Sequence, residues 1–207
     1  MNVFKTLIVT VAIAAGFASS AAQATVINFD GLVVNGLTSL GASPTSTGGM
    51  TFQGTSSSYF MASSWTGGDA GASAYNGTDF YMSAQNFTIT SQSSTPFSVN
   101  SLDLAQWYDG YGVSQVTLFG TFAGGTISRT LNLNTLPNSS KMTGNDFTAF
   151  NLTGFNNLTS LTVSHNGSTY LALDNLVVNA VSVPEPSSIA LFGLALAGVA
   201  VMRRRRA

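Results

Sequence analysis

The sequence of 207 residues contains no cysteine and a single histidine, His165. Without cysteine there is no disulfide framework, no thiolate nucleophile and no cysteine-ligated zinc or iron–sulfur site. One histidine is too few for a His-cluster metal site, and it gives poor support to a Ser/His/Asp triad. The residue next to it is Asn166, followed by Gly167, so we interpret His165 as a turn residue.

Charge is scarce as well. Asp, Glu, Lys and Arg make up 7% of the chain, whereas a typical soluble domain has about 25%. Residues 25–183 contain two basic residues, Arg129 and Lys141, against seven aspartates, which gives a net charge of −5. A nucleic-acid-binding protein needs many Lys and Arg side chains to displace counterions from phosphates, so that class is excluded. Hydrophobic residues, at 44%, are sufficient for a full core.

Residues 1–24 have the features of a secretory signal peptide. Lys5 supplies a positive charge, residues 7–18 are mostly apolar, and Ala22 and Ala24 supply the small side chains before a cleavage site. The alternative is a buried N-terminal helix, but no amphipathic pattern follows. We therefore predict cleavage before Thr25 by signal peptidase.

The C-terminal residues have three distinct parts. Segment 182–188 contains Pro184, Glu185 and Pro186; residues 189–202 carry no polar side chain; and Arg203, Arg204, Arg205 and Arg206 follow. As a helix the apolar part would be about 21 Å long at 1.5 Å per residue, shorter than a hydrocarbon core of about 30 Å. Local thinning of the bilayer and snorkelling of the arginines compensate for such a mismatch. We predict a transmembrane helix within 189–207, with its arginines in the cytoplasm and the Pro-Glu-Pro outside.

These three parts in this order resemble the PEP-CTERM sorting signal of exported proteins in Gram-negative bacteria, a tail that is also named after ice-binding proteins carrying it. The resemblance implies that a membrane protease-transpeptidase, the exosortase, recognises Pro184, Glu185 and Pro186 and removes the anchor. It also implies transient attachment to the inner membrane and an association with exopolysaccharide and biofilm production. The alternative is a plain C-terminal membrane anchor.

Residues 25–181 show no helical periodicity. Short runs rich in Val, Ile, Thr, Phe and Tyr recur between Gly, Asn, Ser and Pro, which is typical of strands separated by turns. The pattern predicts eleven strands, near residues 26–29, 50–53, 59–62, 80–83, 86–91, 96–104, 113–122, 126–134, 147–152, 158–164 and 169–181.

Eleven short strands favour an all-β fold, a jelly-roll-like β-sandwich. A closed barrel and a right-handed β-helix are alternatives, although the absence of a fixed repeat counts against the β-helix. Gly124-Gly125 predicts a two-residue hairpin turn of type I′, because both positions of that turn need positive φ. Ile127, Arg129, Leu131 and Leu133 alternate with polar residues and predict a half-buried strand.

Three segments are similar to parts of carbohydrate-binding jelly rolls: 27–30 at the start, 96–104 in the middle and 173–178 at the end. In such folds the first and last strands commonly lie side by side and a structural calcium often binds near the chain ends. The resemblance implies that Asp30 and Asp174 meet at one edge of the sandwich, and carboxylates suit Ca²⁺. The alternative is that each aspartate caps a turn.

Residues 106–112 place Trp107, Tyr108, Asp109 and Tyr111 in one glycine-containing loop, and Trp65 lies in a similar segment. Aromatic rings offer the flat apolar surface that a sugar needs, and polar groups bond its hydroxyls. These residues are the candidate glycan-binding site. The alternative is that the rings are core or loop-closing residues.

Catalysis has little support. Asp103 and Asp109 would be the carboxylate pair of a glycosidase, but no glutamate occurs in residues 25–183 and nothing fixes the separation of these two aspartates. Ice-binding surfaces present flat, regular threonine arrays, and Thr-x-Thr occurs here only in isolation, as at Thr88 and Thr90. The sequence therefore predicts an exported cell-surface or matrix protein whose sandwich is a non-catalytic interaction or structural module, with residues 106–112 as its candidate glycan-binding site; a carbohydrate-active enzyme and an ice-binding surface are the alternatives.

Overall fold

The computed structural model describes residues 24–33, 36–62, 74–107, 113–133, 145–166 and 170–179. These residues form strands and no helix, within one compact unit, Ala24–Ala180. The thirteen strands are β1 Thr25–Ile27, β2 Leu37–Gly41, β3 Thr45–Thr47, β4 Met50–Gly54, β5 Ser58–Met61, β6 Phe80–Ser83, β7 Phe87–Ser91, β8 Val99–Gln106, β9 Gln115–Phe122, β10 Gly125–Asn132, β11 Thr148–Asn151, β12 Leu158–His165 and β13 Leu171–Val178.

Two antiparallel sheets make the predicted β-sandwich. Sheet A has the order β11-β8-β13-β6-β5-β2, with β1 paired to β13, and sheet B has the order β10-β9-β12-β7-β4-β3. Neither sheet closes on itself as a barrel would, and the antiparallel pairs exclude the β-helix. The all-β sandwich prediction is confirmed.

The first and last strands lie side by side, as expected. β1 pairs with the second half of β13, through Ile27 and Leu176, whereas β6 pairs with its first half, through Tyr81 and Leu173. β8 runs along the opposite side of β13. Asp174 therefore lies at the point where β1 ends and β6 begins.

The main core lies between the sheets and is rich in aromatic rings. Phe29, Phe52, Phe60, Tyr81 and Phe87 are buried and stack with centroid separations of 5.1–6.2 Å. Each buried ring stabilises the fold by about 1.5–3 kcal/mol through loss of apolar surface from water. Aliphatic side chains of both sheets, from Ile27 to Val178, fill the rest.

A second, smaller cluster covers the outer face of sheet A. It contains Met61, Phe80, Met82, Ala105 and Ala172, which alternate along their strands with residues of the main core. Sheet A is therefore apolar on both faces, whereas the outer face of sheet B is polar.

All eleven predicted strands are present, with ends displaced by a few residues. β2 and β3 were not predicted, because Leu37–Gly41 has no β-branched residue but Thr38, and β3 has only three residues. Arg129 shares a face of β10 with buried Leu131 but is itself exposed, because β10 is an edge strand. His165 ends β12 and is not a turn residue.

The β9–β10 hairpin is present, but the turn is not the predicted one. Phe122 pairs with Gly125, so the two turn residues are Ala123 and Gly124. Neither has positive φ, and Gly125, in the strand, has a φ of 145°. The prediction of a type I′ turn at Gly124-Gly125 is therefore wrong in both position and turn type.

Candidate functional site

An aromatic cavity lies on the outer face of sheet A, beside the end of β8. It measures about 150 Å³ and is lined by side chains of β2, β5 and β6 together with residues next to β8 and β13, namely Leu37, Tyr59, Met61, Met82, Trp107 and Tyr170. We call it the Trp107 cavity. Side chains two apart along a strand lie on the same face of the sheet. Tyr59 and Met61 of β5 therefore both reach the cavity, where they meet side chains of the neighbouring strands.

Backbone and side-chain contacts fix Trp107 in this cavity. Its N–H donates to the carbonyl of Tyr170 (3.1 Å), and its carbonyl accepts from the N–H of Ala74 (2.9 Å). The indole Nε1–H donates to Met61 Sδ (3.2 Å). The indole is half-buried, so it is neither a fully buried core residue nor a free surface ring.

Three rings form a continuous edge-to-face arrangement around the cavity. Trp107 and Tyr170 have centroids 5.2 Å apart at 80°, and Tyr170 and Tyr59 have centroids 5.7 Å apart at 65°. Such T-shaped pairs stabilise each other by about 0.5–1.5 kcal/mol, so the rings hold one orientation. An orientation fixed before binding reduces the entropy lost when a ligand stacks on the rings.

Trp107 is the one predicted glycan-binding residue that the structure describes. Its aromatic partners in the cavity, Tyr59 and Tyr170, were not predicted. Trp107 lines the cavity, whereas Tyr108, Asp109, Tyr111 and Trp65 lie outside the described residues. Tyr59 and Tyr170 were missed because neither neighbours Trp107 in sequence.

A network of carboxylates lies at the gap between β1 and β6. Asn76 Nδ2 and Thr78 Oγ1 donate to Asp174 Oδ2 (2.7 and 2.8 Å), and the backbone N–H of Asn175 donates to Asp174 Oδ1 (2.7 Å). Asn175 has a positive φ of 47°, and Asn175 Nδ2 donates to Asp103 Oδ2 (3.0 Å). Asp174 is fully buried, and burial raises the pKa of its carboxyl, with a smaller contribution from the negative charge of Asp30.

Asp30 and Asp79 form a second set of hydrogen bonds beside the first. Asp30 Oδ1 accepts from the N–H of Asp79 (3.1 Å), and Asp79 Oδ2 accepts from the N–H of Gly31 (3.1 Å). Asn28 Nδ2 donates to Asp30 Oδ2 (2.8 Å). These reciprocal bonds tie the residues after β1 to the residues before β6.

The network has some, but not all, of the features of a calcium site. Asp30 and Asp174 both lie at the gap between β1 and β6, and oxygen ligands are those that Ca²⁺ prefers. However, no group of three or more acidic or histidine side chains within the described ranges could hold a metal ion, and Asp174 already accepts three hydrogen bonds. Calcium at Asp30 and Asp174 stays a prediction, and the residues present do not by themselves form a complete ligand set.

The remaining site residues concern processing. Thr25, the predicted first residue after cleavage, is the first residue of β1. Ala22, Pro184, Glu185, Pro186 and the arginines 203–206 lie outside the described residues, as does the predicted helix in 189–207. Within the part of the chain that the structure describes, no helix is long and apolar enough to cross a membrane.

Comparison with known proteins identifies the sorting tail. The model of the PEP-CTERM protein-sorting motif matches residues 182–206. The tail of this chain is thus a PEP-CTERM motif, which indicates an exported protein that exosortase processes. A comparison with curated proteins finds no match.

Solved structures similar to this chain have low identity. A DUF4465 family protein from Bacteroides caccae has a TM-score of 0.49 and 13% identity, over 75% of this chain and 98% of that one. A mutant of CBM29-2, a family 29 carbohydrate-binding module, has a TM-score of 0.33 and 12% identity, over 75% and 91%. The K2 cleaved adhesin domain of Lys-gingipain has a TM-score of 0.37 and 12% identity, over 75% and 99%. At these values the likeness carries no information about ligand or activity.

Proposed function

We propose that this exported protein is a non-catalytic component of the cell surface or extracellular matrix, and that its sandwich binds a neutral glycan at the Trp107 cavity. The observation that carries the proposal is the arrangement of Trp107, Tyr170 and Tyr59 around one open cavity. A sugar presents C–H groups on the faces of its ring, and these pack on aromatic surfaces.

Charge supports a neutral ligand. The described residues that line the cavity have aliphatic, thioether or aromatic side chains, and none of them is Asp, Glu, Lys or Arg. A phosphorylated or acidic ligand would need Lys or Arg for charge-assisted bonds, and these described lining residues supply neither. An exopolysaccharide of the biofilm matrix fits this chemistry, with exosortase and signal peptidase as processing partners.

Affinity is expected to be weak for single sugars. Stacking on one ring is worth on the order of 1 kcal/mol, so monosaccharides bind at millimolar strength or worse. Retention comes from polymers that engage many surface-bound copies at once.

Affinity electrophoresis of the exported protein in gels containing neutral polysaccharides tests the proposal. Trp107→Ala should remove most of the retardation and Trp107→Phe part of it, because phenylalanine keeps a ring but loses area and the bond to Met61. Because the indole is half-buried against the second cluster, Trp107→Ala should also cost about 1–2 kcal/mol of stability.

Phe150→Ala is the matched control. Phe150 is half-buried against the main core and lies outside the cavity, so its loss should lower stability without changing retardation. If Trp107→Ala and Phe150→Ala reduce retardation equally, the effect is destabilisation and the cavity is not the binding site. Hydrolysis of any polysaccharide in the panel would contradict the non-catalytic role.

A further inference from the structure

The outer face of sheet B is covered with hydroxyl groups. The outward side chains of its six strands are twelve Ser and Thr, two Gln, one Asn and one Phe, and none of them is charged. We call this surface the hydroxyl face; its residues are Thr126, Ser128, Thr130 and Asn132 of β10, Gln115, Thr117, Phe119 and Thr121 of β9, Ser160, Thr162 and Ser164 of β12, Thr88 and Thr90 of β7, Thr51 and Gln53 of β4, and Ser46 of β3.

Strand register places these side chains in rows across the sheet. One row runs from Ser128 through Phe119, Thr162 and Thr88 to Gln53. Neighbouring members of a row are about 4.7–4.9 Å apart. The hydroxyls of Thr88 and Thr162 are hydrogen-bonded at 3.2 Å.

Phe119 interrupts the hydroxyl groups in the second strand of the sheet. It is 45% exposed, and apart from Val26 it is the most exposed large apolar side chain among the described residues. Its row neighbours are Ser128 and Thr162, and Thr117 and Thr121 precede and follow it on the same face. An exposed ring surrounded by neutral donors and acceptors offers stacking and hydrogen bonds in the same place.

We propose that the hydroxyl face is a second glycan-binding surface, which takes an extended neutral polysaccharide chain across its strands. The main core separates this face from the Trp107 cavity on sheet A. One molecule therefore joins two polymer chains, and the protein is a cross-linker of its matrix. This inference rests on the proposed function for the role of the Trp107 cavity.

The absence of charged side chains from the hydroxyl face indicates which kind of ligand it binds. An acidic polymer finds no Lys or Arg on this face, and a basic partner finds no carboxylate. Ice is the other surface that threonine rows suit, and the rows here were not apparent from the sequence because they run across strands. A ring standing in a row breaks the flat array that ice requires, and the sheet twists by roughly 20° between strands. The observations therefore favour a polymer.

The substitution Phe119→Thr separates these outcomes. It removes the ring and completes the threonine row while keeping a residue that favours strands. Val26→Thr is the matched control, since it makes the same kind of change at an exposed strand position of β1, which is 56% exposed.

Two readouts are needed: retardation in neutral polysaccharide gels and agglutination of beads coated with the same polymer. The wild type and Val26→Thr should agglutinate beads, whereas Phe119→Thr and Trp107→Ala should not, although each single variant is still retarded. The double variant should migrate as it does without polymer. Loss of one stacking surface should weaken the apparent affinity of the protein for the polymer about tenfold.

The possible results are distinct. If Phe119→Thr agglutinates and is retarded like the wild type, the second surface is wrong, whatever Trp107→Ala does. If Phe119→Thr loses all retardation and Trp107→Ala none, the Trp107 cavity fails and the hydroxyl face alone binds glycan. Ice-crystal shaping by the wild type that increases in Phe119→Thr would overturn the polymer proposal in favour of ice.

Discussion

At the scale of single residues, His165 makes stability sensitive to acid. Both ring nitrogens are buried, and neither has a hydrogen-bond partner. Burial lowers the pKa of His165 below its ordinary value of 6.5. The folded state therefore binds fewer protons than the unfolded state, so stability is lost as pH falls from above 6.5 towards the folded pKa.

Melting curves at several pH values, compared with His165→Leu, measure this effect. The variant should show a smaller fall in melting temperature between about pH 7.5 and pH 5 than the wild type. Asp174 acts in the opposite direction: its raised pKa costs stability as pH rises from 3.8 through the folded pKa. Asp174 is present in both proteins, so its contribution cancels when the wild type and His165→Leu are compared. If melting temperature falls equally with pH in both, His165 is not the cause of the acid sensitivity.

Gly120 of β9 is a second residue at which a single substitution is expected to change the stability of the fold. A Cβ there would lie 2.8 Å from Leu158 Cδ2, 2.9 Å from Ile127 Cγ2 and 3.2 Å from Phe155 Cδ1. Gly120→Ala must push three side chains of the core apart, which costs about 1–3 kcal/mol.

Denaturant unfolding of Gly120→Ala checks this expectation, with Thr121→Ala as the control in the same strand. Thr121 is exposed, so its truncation should change stability by only about 0.5 kcal/mol. Equal effects of the two substitutions would mean that the space around Gly120 adapts without strain.

At the scale of elements, local sequence predicted most of the strands but not their neighbours. β8, β9, β12 and β13 were predictable because each is a long run of alternating or β-branched residues. Sheet order has no such local pattern. Tyr59 and Tyr170 join Trp107 only because sheet A runs β8-β13-β6-β5.

The carboxylate network, too, was predictable from the sequence only in part. The meeting of Asp30 with Asp174 could be expected from the pairing of chain ends, which β1 and β13 confirm. The roles of Asn76 and Thr78 could not be predicted, because these residues lie 98 and 96 positions from Asp174 in the chain. Distant hydrogen bonds of this kind depend on the fold as a whole.

Chelation tests whether calcium joins these elements. If Ca²⁺ binds Asp30 and Asp174 in the native state only, it adds about 2.7 kcal/mol at a hundred times its Kd. The melting temperature should then fall with a chelator, and Asp174→Ala should melt low and ignore calcium. Thr78→Val is the control, because it removes one hydrogen bond to Asp174 but leaves both carboxylates. Identical curves with and without chelator would mean that the hydrogen bonds alone hold β1, β6 and β13 together.

At the scale of the whole molecule, two processing steps decide which residues remain in the exported protein. We expect the exported protein to begin at Thr25, the first residue of β1, and to end near Pro184–Ser188, so that neither apolar end remains. The intact mass of surface-extracted protein measures both ends at once. Glu185→Ala should leave a heavier species that retains Arg203–Arg206, because the sorting motif no longer presents its carboxylate between two prolines. Ser58→Ala, at a buried position of the sandwich, should reduce yield without changing either end of the mature chain. A wild-type main product that still carries the four arginines would refute C-terminal cleavage and mean that the sandwich keeps its membrane anchor.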